Sequence, residues 1–372
     1  MALELRPPIA PMEALPVEAI PTGPAWQYEP KWDGFRCLAF RDGDDVRLWS
    51  KAGRPLNRYF PEMVAALGAL DASAFVLDGE LAVPADGGFS FDALLQRIHP
   101  AASRVKRLAG ETPAIFIAFD LLAGADGRSL IALSLQARRQ QLDDFAQCYF
   151  PGHPSIRLSP TTQSLAQAAK WLKQAGPALD GIIAKRSDAA YRPGERTAMQ
   201  KIKNYRSADC VVGGFRYGAD GKAVGSLLLG LYDDEGLLHH VGFTSGIRAS
   251  ERKALTQKLE RLIAPPGFTG NAPGGPSRWA TERTGEWKPL KPKLVVEVCF
   301  DHFSGGRFRH GTRLLRFRPD KAQRQCTMDQ IRRTGGNALR LLFGAKEVVG
   351  RNRPKAVLRR PSERRITRPI GR

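Results

Sequence analysis

One lysine stands in a setting that suits covalent chemistry. Glu29-Pro30-Lys31-Trp32-Asp33-Gly34-Phe35-Arg36 places it between a carboxylate and an Asp-Gly step, with aromatic residues close by and an arginine shortly after. A lysine attacks phosphorus only as the neutral amine, so its ordinary pKa of about 10.4 must fall for it to act near neutral pH. Burial and neighbouring cations lower it. The window also has a plain structural reading, since Asp-Gly between apolar runs signals a hairpin and the lysine would then be a solvated strand residue. Further along, cations and carboxylates recur at the ends of short predicted strands. They are Ser50-Lys51-Ala52-Gly53-Arg54, Asp78-Gly79-Glu80, Phe119-Asp120, Asp180-Gly181-Ile182-Ile183-Ala184-Lys185-Arg186, Lys201-Ile202-Lys203 and Arg316-Phe317-Arg318-Pro319-Asp320-Lys321. Each alone also reads as structure: Asp78-Gly79 as a hairpin turn, Phe119 as core, Lys201 and Lys203 as the solvent face of an alternating strand.

The elements that must position these residues fall into two groups. In the first, strands are predicted over 35–40, 46–50, 75–77 and 80–83, separated by Asp-Gly or Gly-Asp steps that favour antiparallel sheet. Helices are predicted over 61–67, opened by Pro61, and over 91–98, 135–145 and 164–174. The nearly continuous apolar run 114–122 predicts a strand buried on both faces at the centre of this first domain. In the second group, strands are predicted over 210–215, 226–232, 238–243, 294–300 and 314–317, with a helix over 250–263 and a Pro/Gly-rich loop over 265–276. Five strands with one helix fit a small closed barrel of the OB type, a frequent nucleic-acid platform. The chain then divides into an extended N-terminal segment (1–24), a first domain (25–205), a barrel (206–334) and an arginine-rich tail (335–372) expected to be disordered.

With 372 residues, 42% of them apolar, the chain can bury two cores, which excludes general disorder. Its 57 Lys and Arg against 37 Asp and Glu give a net charge of +20, which favours a polyanionic partner, nucleic acid first. No apolar run approaches the roughly 18 residues of a spanning helix, and the start lacks a secretion signal, so no membrane partner and a cytoplasmic location are expected. The dispersed cysteines form neither a disulfide framework nor a zinc site. The six histidines show no metal-ligand spacing and read as structural or DNA-facing.

In their order, these windows resemble the six nucleotidyltransferase motifs of the covalent ligase and capping-enzyme superfamily, from about Glu29 to Asp329. The stretches 28–36, 179–186 and 306–313 look like bacterial ATP-dependent DNA ligases, in particular the ligase module of end-joining enzymes and its stand-alone relatives. The resemblance implies an α+β fold: a nucleotidyltransferase domain of ATP-grasp-like antiparallel sheets with helices, followed by a five-stranded OB-fold β-barrel. It implies that Lys31 attacks the α-phosphate of ATP, that Glu29 reads adenine, that Phe119 stacks on the base and that Glu80 binds the ribose. Arg36 would sit against the nucleotide and later the 5′-phosphate of a nick. Lys201 and Lys203 would neutralise phosphates and depress the Lys31 pKa, with Lys185 and Arg196 as further phosphate ligands. Asp180, with Glu80, would hold Mg²⁺ or Mn²⁺, and Arg316, Arg318, Asp320 and Lys321 would orient the pyrophosphate. Two positions depart from the family pattern. Lys51 follows the serine where ligases often carry arginine, leaving Arg54 to compensate, and Asp180 stands where the broader family has glutamate.

The activity implied is sealing of 5′-phosphate/3′-hydroxyl nicks through a lysyl-AMP intermediate, in DNA repair or recombination. The implied partner is nicked double-stranded DNA, bound by a monomer near the bacterial nucleoid; a Ku-type end-joining partner stays open. Two other readings stay open as well, an RNA ligase or capping-type nucleotidyltransferase and a catalytically inactive nucleic-acid-binding protein.

Overall fold

All nine residues of Ile115–Ala123 are buried, because apolar layers cover the strand on both faces. The computed structural model describes residues 3–85, 88–175, 179–219, 221–274, 286–331 and 338–343. Eight strands of three or more residues build the first part of the chain. They are β1 (Trp26–Lys31), β2 (Phe35–Asp42), β3 (Asp45–Ser50), β4 (Ala74–Ala82), β5 (Ile115–Ala123), β6 (Ile156–Leu158), β7 (Gly181–Arg186) and β8 (Met199–Lys203). They form two sheets. One has the order β3-β2-β4-β5-β6, and the other has Leu15–Pro16, β8, β7 and β1. Pairing is antiparallel except for β6 on β5 and Leu15–Pro16 on β8, which are parallel. The run that the sequence places at the centre is thus buried as expected but lies one strand from the edge.

The helices follow their local signals. Pro61 occupies the first turn of α1 (Pro61–Gly68), and the Ser90 hydroxyl accepts from the Ala93 N–H to cap α2 (Phe91–Arg97). After α2 comes α3 (Ala102–Glu111), which the sequence reading missed. Only Val105 and Leu108 are buried in it, and Gly110 lies inside it, so its apolar signal is thin. Ser134 caps α4 (Leu135–Tyr149), which lays Leu142, Phe145 and Ala146 into the core of the first sheet. Trp171 of α5 (Leu165–Ala175) packs with Tyr28 and Ile182 of the second sheet.

Two expected turns are not turns. At Asp33-Gly34 the chain leaves β1, which pairs with β7, and enters β2, which pairs with β3 and β4, so this step crosses between sheets. Asp78-Gly79 lies inside the unbroken strand β4, where Gly79 leaves room for the Phe116 ring.

The second part contains β9 (Arg206–Tyr217), β10 (Val224–Tyr232), β11 (Leu238–Thr244), α6 (Ala249–Glu260), β12 (Val295–Phe300) and β13 (Arg313–Phe317). Its sheet order is β11-β10-β9-β12-β13, with Lys288–Pro289 added to β9. The first and last strands meet at a bridge between Thr244 and Thr312, where the Thr244 hydroxyl donates to the Thr312 carbonyl at 2.9 Å. Its core draws only on residues 208–331. The chain beyond Gly335 is not uniformly a tail: Ala338 and Phe343 are buried against the second sheet of the first part, and the Arg157 guanidinium lies 4.7 Å over the Phe343 ring. The arginine-rich residues from 344 onward lie outside the described residues. Among the described residues no helix is long and apolar enough to cross a membrane.

Candidate active site

Strand register gathers most of the predicted residues on two facing surfaces. Lys31 pairs with Gly181, which pairs with Lys203, while Glu29 pairs with Ile183, which pairs with Lys201. Directly opposed residues share a face, so Glu29, Lys31, Lys185, Lys201 and Lys203 belong to one side of the β8-β7-β1 sheet. On the other sheet Arg36 pairs with Glu80, and Glu80 with Ile117, two residues before Phe119. Between these surfaces lies a cavity of about 450 Å³, lined by Glu29, Lys31, Arg36, Glu80, Phe119 and Lys201 among others. Gly34 carries the crossing because nothing larger fits. A Cβ there would run into the Leu81 carbonyl oxygen, which is backbone and cannot swing aside. On the role that the family resemblance implies for Lys31, Gly34→Ala is therefore expected to displace it and slow transfer of a nucleotide to it by about 10–100-fold, measured as a single-turnover rate.

The Lys31 ammonium donates to one oxygen of Asp180, and the other oxygen faces His302 Nε2. Burial by itself would pull the Lys31 pKa down, but the Asp180 carboxylate, then Glu80 and Asp33, push it above the ordinary lysine value. The expected depression by Lys201 and Lys203 does not hold in this arrangement. Lys203 is engaged elsewhere, 2.6 Å from Asp301. Lys201 is the lysine whose pKa falls, through burial and then the charges of Lys31, Lys51 and Lys203. Against its burial, Asp180 is held well below the usual carboxylate range by His302 and Lys31.

Glu80 is the opposite case. Burial pushes its carboxyl up to about 8, and Lys31 and Arg36 offset this only in part. A folded-state pKa above the unfolded value means that the folded protein binds the proton more tightly. Stability is then lost as pH rises from about 4.5 through about 8. Urea unfolding of the nucleotide-free protein across this range is expected to show that decline, and Glu80→Gln is expected to flatten it. Parallel curves for the two proteins would contradict the assignment.

Lys185 lines the cavity but is already engaged there. It is buried under Phe119, 2.8 Å from Glu29 and 4.6 Å from the ring centroid, while Gln27 donates to the other Glu29 oxygen at 3.0 Å. Arg36 lies 4.5 Å over the same ring and grips the fully buried Asp78 at 2.5 and 2.6 Å; Tyr191 donates to that carboxylate at 2.8 Å. At the rim, Glu13 lies 3.1 Å from Lys51 and 2.6 Å from Arg196, so those two cations meet the N-terminal segment. Arg54 is exposed, and its backbone N–H closes the loop onto the Ser50 hydroxyl.

Arg316, Arg318, Asp320 and Lys321 are not brought to the cavity. Arg318 and Lys321 both bind Asp209, Arg318 also binds Asp320, and Arg316 binds Glu297 at 2.7 Å, all within the second part of the chain. What the second part does bring is a different set, unforeseen in the sequence reading. Arg309 makes two parallel bonds to Asp33, at 2.8 and 2.9 Å, and stacks on Phe91, and His302 enters the Lys31 centre. His302, read from the sequence with the other histidines as structural or DNA-facing, is buried against Asp180 and Asp33. The usable signal was Asp301-His302 directly after an apolar strand, ahead of the Gly305-Gly306 turn and the Arg307-Phe308-Arg309 stretch.

The family described as "ATP dependent DNA ligase domain" matches residues 11–203, and the "ATP dependent DNA ligase C terminal region" matches residues 220–321. The chain therefore belongs to the ATP-dependent DNA ligases, enzymes built from a nucleotidyltransferase-type α+β domain and a C-terminal region. Within that family it is similar to DNA ligase C2 of Mycolicibacterium smegmatis, at 44% identity over 89% of this chain and 96% of the relative. It is also 33% identical, over 80% of its length, to the multifunctional non-homologous end joining DNA repair protein LigD of Mycobacterium tuberculosis, covering 36% of that protein. In fold it is similar to a structure from an analysis of Lig E DNA ligases, with a TM-score of 0.50 at 18% identity, covering 82% of this chain and all (100%) of that one.

Proposed function

We propose that this ligase seals 5′-phosphate/3′-hydroxyl nicks in duplex DNA with Lys31 as the nucleophile. The observation that carries the reading is the place of Lys31, at the end of β1 on the wall of a cavity whose other sides supply the carboxyl groups of Glu29 and Glu80, the Phe119 ring and the cations Arg36 and Lys201. Lys31 attacks the α-phosphate of ATP and releases pyrophosphate, AMP passes to the 5′-phosphate, and the 3′-hydroxyl then expels AMP. For the first step the ammonium must lose its proton and its Asp180 contact, so this closed arrangement is one that ATP has to open.

Glu29, held by Gln27 and Lys185, would read adenine; Phe119 would stack on it; Glu80 would bind the ribose. Lys201, with its lowered pKa, and Lys203 would meet the phosphates, with Lys51, Arg54 and Arg196 at the rim. Arg316, Arg318, Asp320 and Lys321 would reach the pyrophosphate only after the second domain moves. The donor set fits Mg²⁺ or Mn²⁺. Among the described residues no cluster of three or more His, Cys, Asp and Glu could hold a metal ion. Asp180, and Glu80 once it gives up the proton that burial makes it keep, would supply oxygen ligands to a hard cation that shares its shell with substrate phosphates. Such an ion would neutralise charge on the transferring phosphoryl group.

The chain would divide near 205, with the second sheet as an OB-type barrel closed at the Thr244–Thr312 bridge. The likeness to LigD, named as a non-homologous end joining DNA repair protein, supports a role in DNA repair; a Ku-type partner and a monomeric working unit are proposed without support from that likeness. The test is a pulse of α-labelled ATP or GTP followed by nicked DNA or nicked RNA. Label from ATP that leaves the protein as AMP while nicked DNA is sealed supports the proposal. Label from GTP, or sealing of RNA alone, would replace it with the capping or RNA-ligase reading.

A further inference from the structure

His302 is the one histidine that reaches the Lys31 centre among the described residues, and it comes from the other domain. It follows β12 at the base of a short hairpin, and its ring is only 7% exposed. Nε2 meets one oxygen of Asp180 while Nδ1 lies 3.7 Å from Asp33, so the imidazole sits between the two carboxylates that flank the lysine. Its backbone is fixed too. The His302 N–H donates to the Asp301 side chain at 2.7 Å, and the His302 carbonyl accepts from the Arg309 N–H at 3.0 Å.

We infer that His302 is a positioning residue which the second domain lends to the Lys31 centre, holding Asp180 in place once the lysine carries AMP. Asp180 has two partners in this arrangement, Lys31 on one oxygen and His302 on the other. When Lys31 becomes a phosphoramidate it loses its positive charge, and of its two side-chain partners the carboxylate keeps His302, which also aims the carboxylate's free oxygen at any shared metal ion. Left alone, a buried carboxylate would turn or take up water. The same docking is unsuited to loading ATP. Asp301 occupies Lys203, and Arg318 and Lys321 are turned to Asp209. His302 therefore acts in the steps after pyrophosphate has left.

This inference rests on Lys31 being the AMP-bearing residue, and the experiment separates the two. Wild type, His302→Ala and His302→Gln are first labelled from α-labelled ATP, then freed of ATP and mixed with excess nicked DNA in a single turnover. His302→Ala is expected to accept label within about 3-fold of the wild-type rate but to seal about 30-fold more slowly, the range of a lost hydrogen bond to a charged group. His302→Gln, whose amide can still donate to Asp180, is expected to seal within about 3-fold of wild type. Equal sealing by all three proteins, or equal loss of labelling and sealing in His302→Ala, would overturn the role. Absence of label on wild type would instead sink the assignment of Lys31.

Discussion

Lys31→Ala is expected to abolish AMP transfer to the protein and to lower nick sealing by at least about 10⁴-fold, because no neighbouring side chain can replace the nucleophile. Lys185 is buried against Glu29, Lys201 faces the cavity from another strand, and Lys203 is held by Asp301. The variant should still fold. Removing Lys31 leaves Asp180 with its second partner, His302, so the buried carboxylate is not orphaned. A melting temperature within about 5 °C of wild type is the expected companion result. Residual labelling above about 1% of wild type would point to a different acceptor.

The largest stability effect is expected at Asp78, which touches no solvent and accepts from Arg36 and Tyr191. Asp78→Ala removes the carboxylate and leaves the Arg36 charge unpaired beside Phe119. Breaking a buried pair in this way costs about 3–5 kcal/mol, which lowers the melting temperature of a domain of this size by about 10 °C. The loss should carry over to function, because Arg36 on the cavity wall is aimed by the same carboxylate. A calorimetric scan of Asp78→Ala that overlays wild type within about 2 °C would show that the triad contributes little.

The candidate site was legible mainly through the ordered motifs that carry the family resemblance, and strand periodicity added one placement. Lys201 and Lys203 are two apart and do share a face, and the pairing of Lys31 with Gly181 brings Asp180 beside the lysine as the order of the motifs suggested. The five strands of the second part likewise announced themselves as apolar runs. The errors have a common cause. Asp-Gly is a local signal, whereas the partner of the next strand is chosen at long range, so Asp33-Gly34 could not be told apart from a hairpin although it crosses between sheets. The charge state of Lys31 depends on which carboxylate faces it, and the resemblance, which gave Asp180 to a metal, did not say that it would take the ammonium. The partners of His302 and Arg309 were hidden for a stronger reason: their contacts with Asp180 and Asp33 join residues more than a hundred positions apart in the chain. Arg318 and Lys321 show the converse, since a motif gives residue types and leaves open whether they face the nucleotide or their own Asp209.

The proposed mechanism stands on one covalent bond. The most direct measurement is to incubate the protein with ATP and a divalent metal, digest it under mildly alkaline conditions that preserve a phosphoramidate, and locate AMP by mass spectrometry. The mechanism predicts AMP on the peptide containing Trp26–Arg36, attached to Lys31, and lost when nicked DNA is added before digestion. AMP on any other lysine, or AMP on Lys31 that survives an excess of nicked DNA, would contradict it.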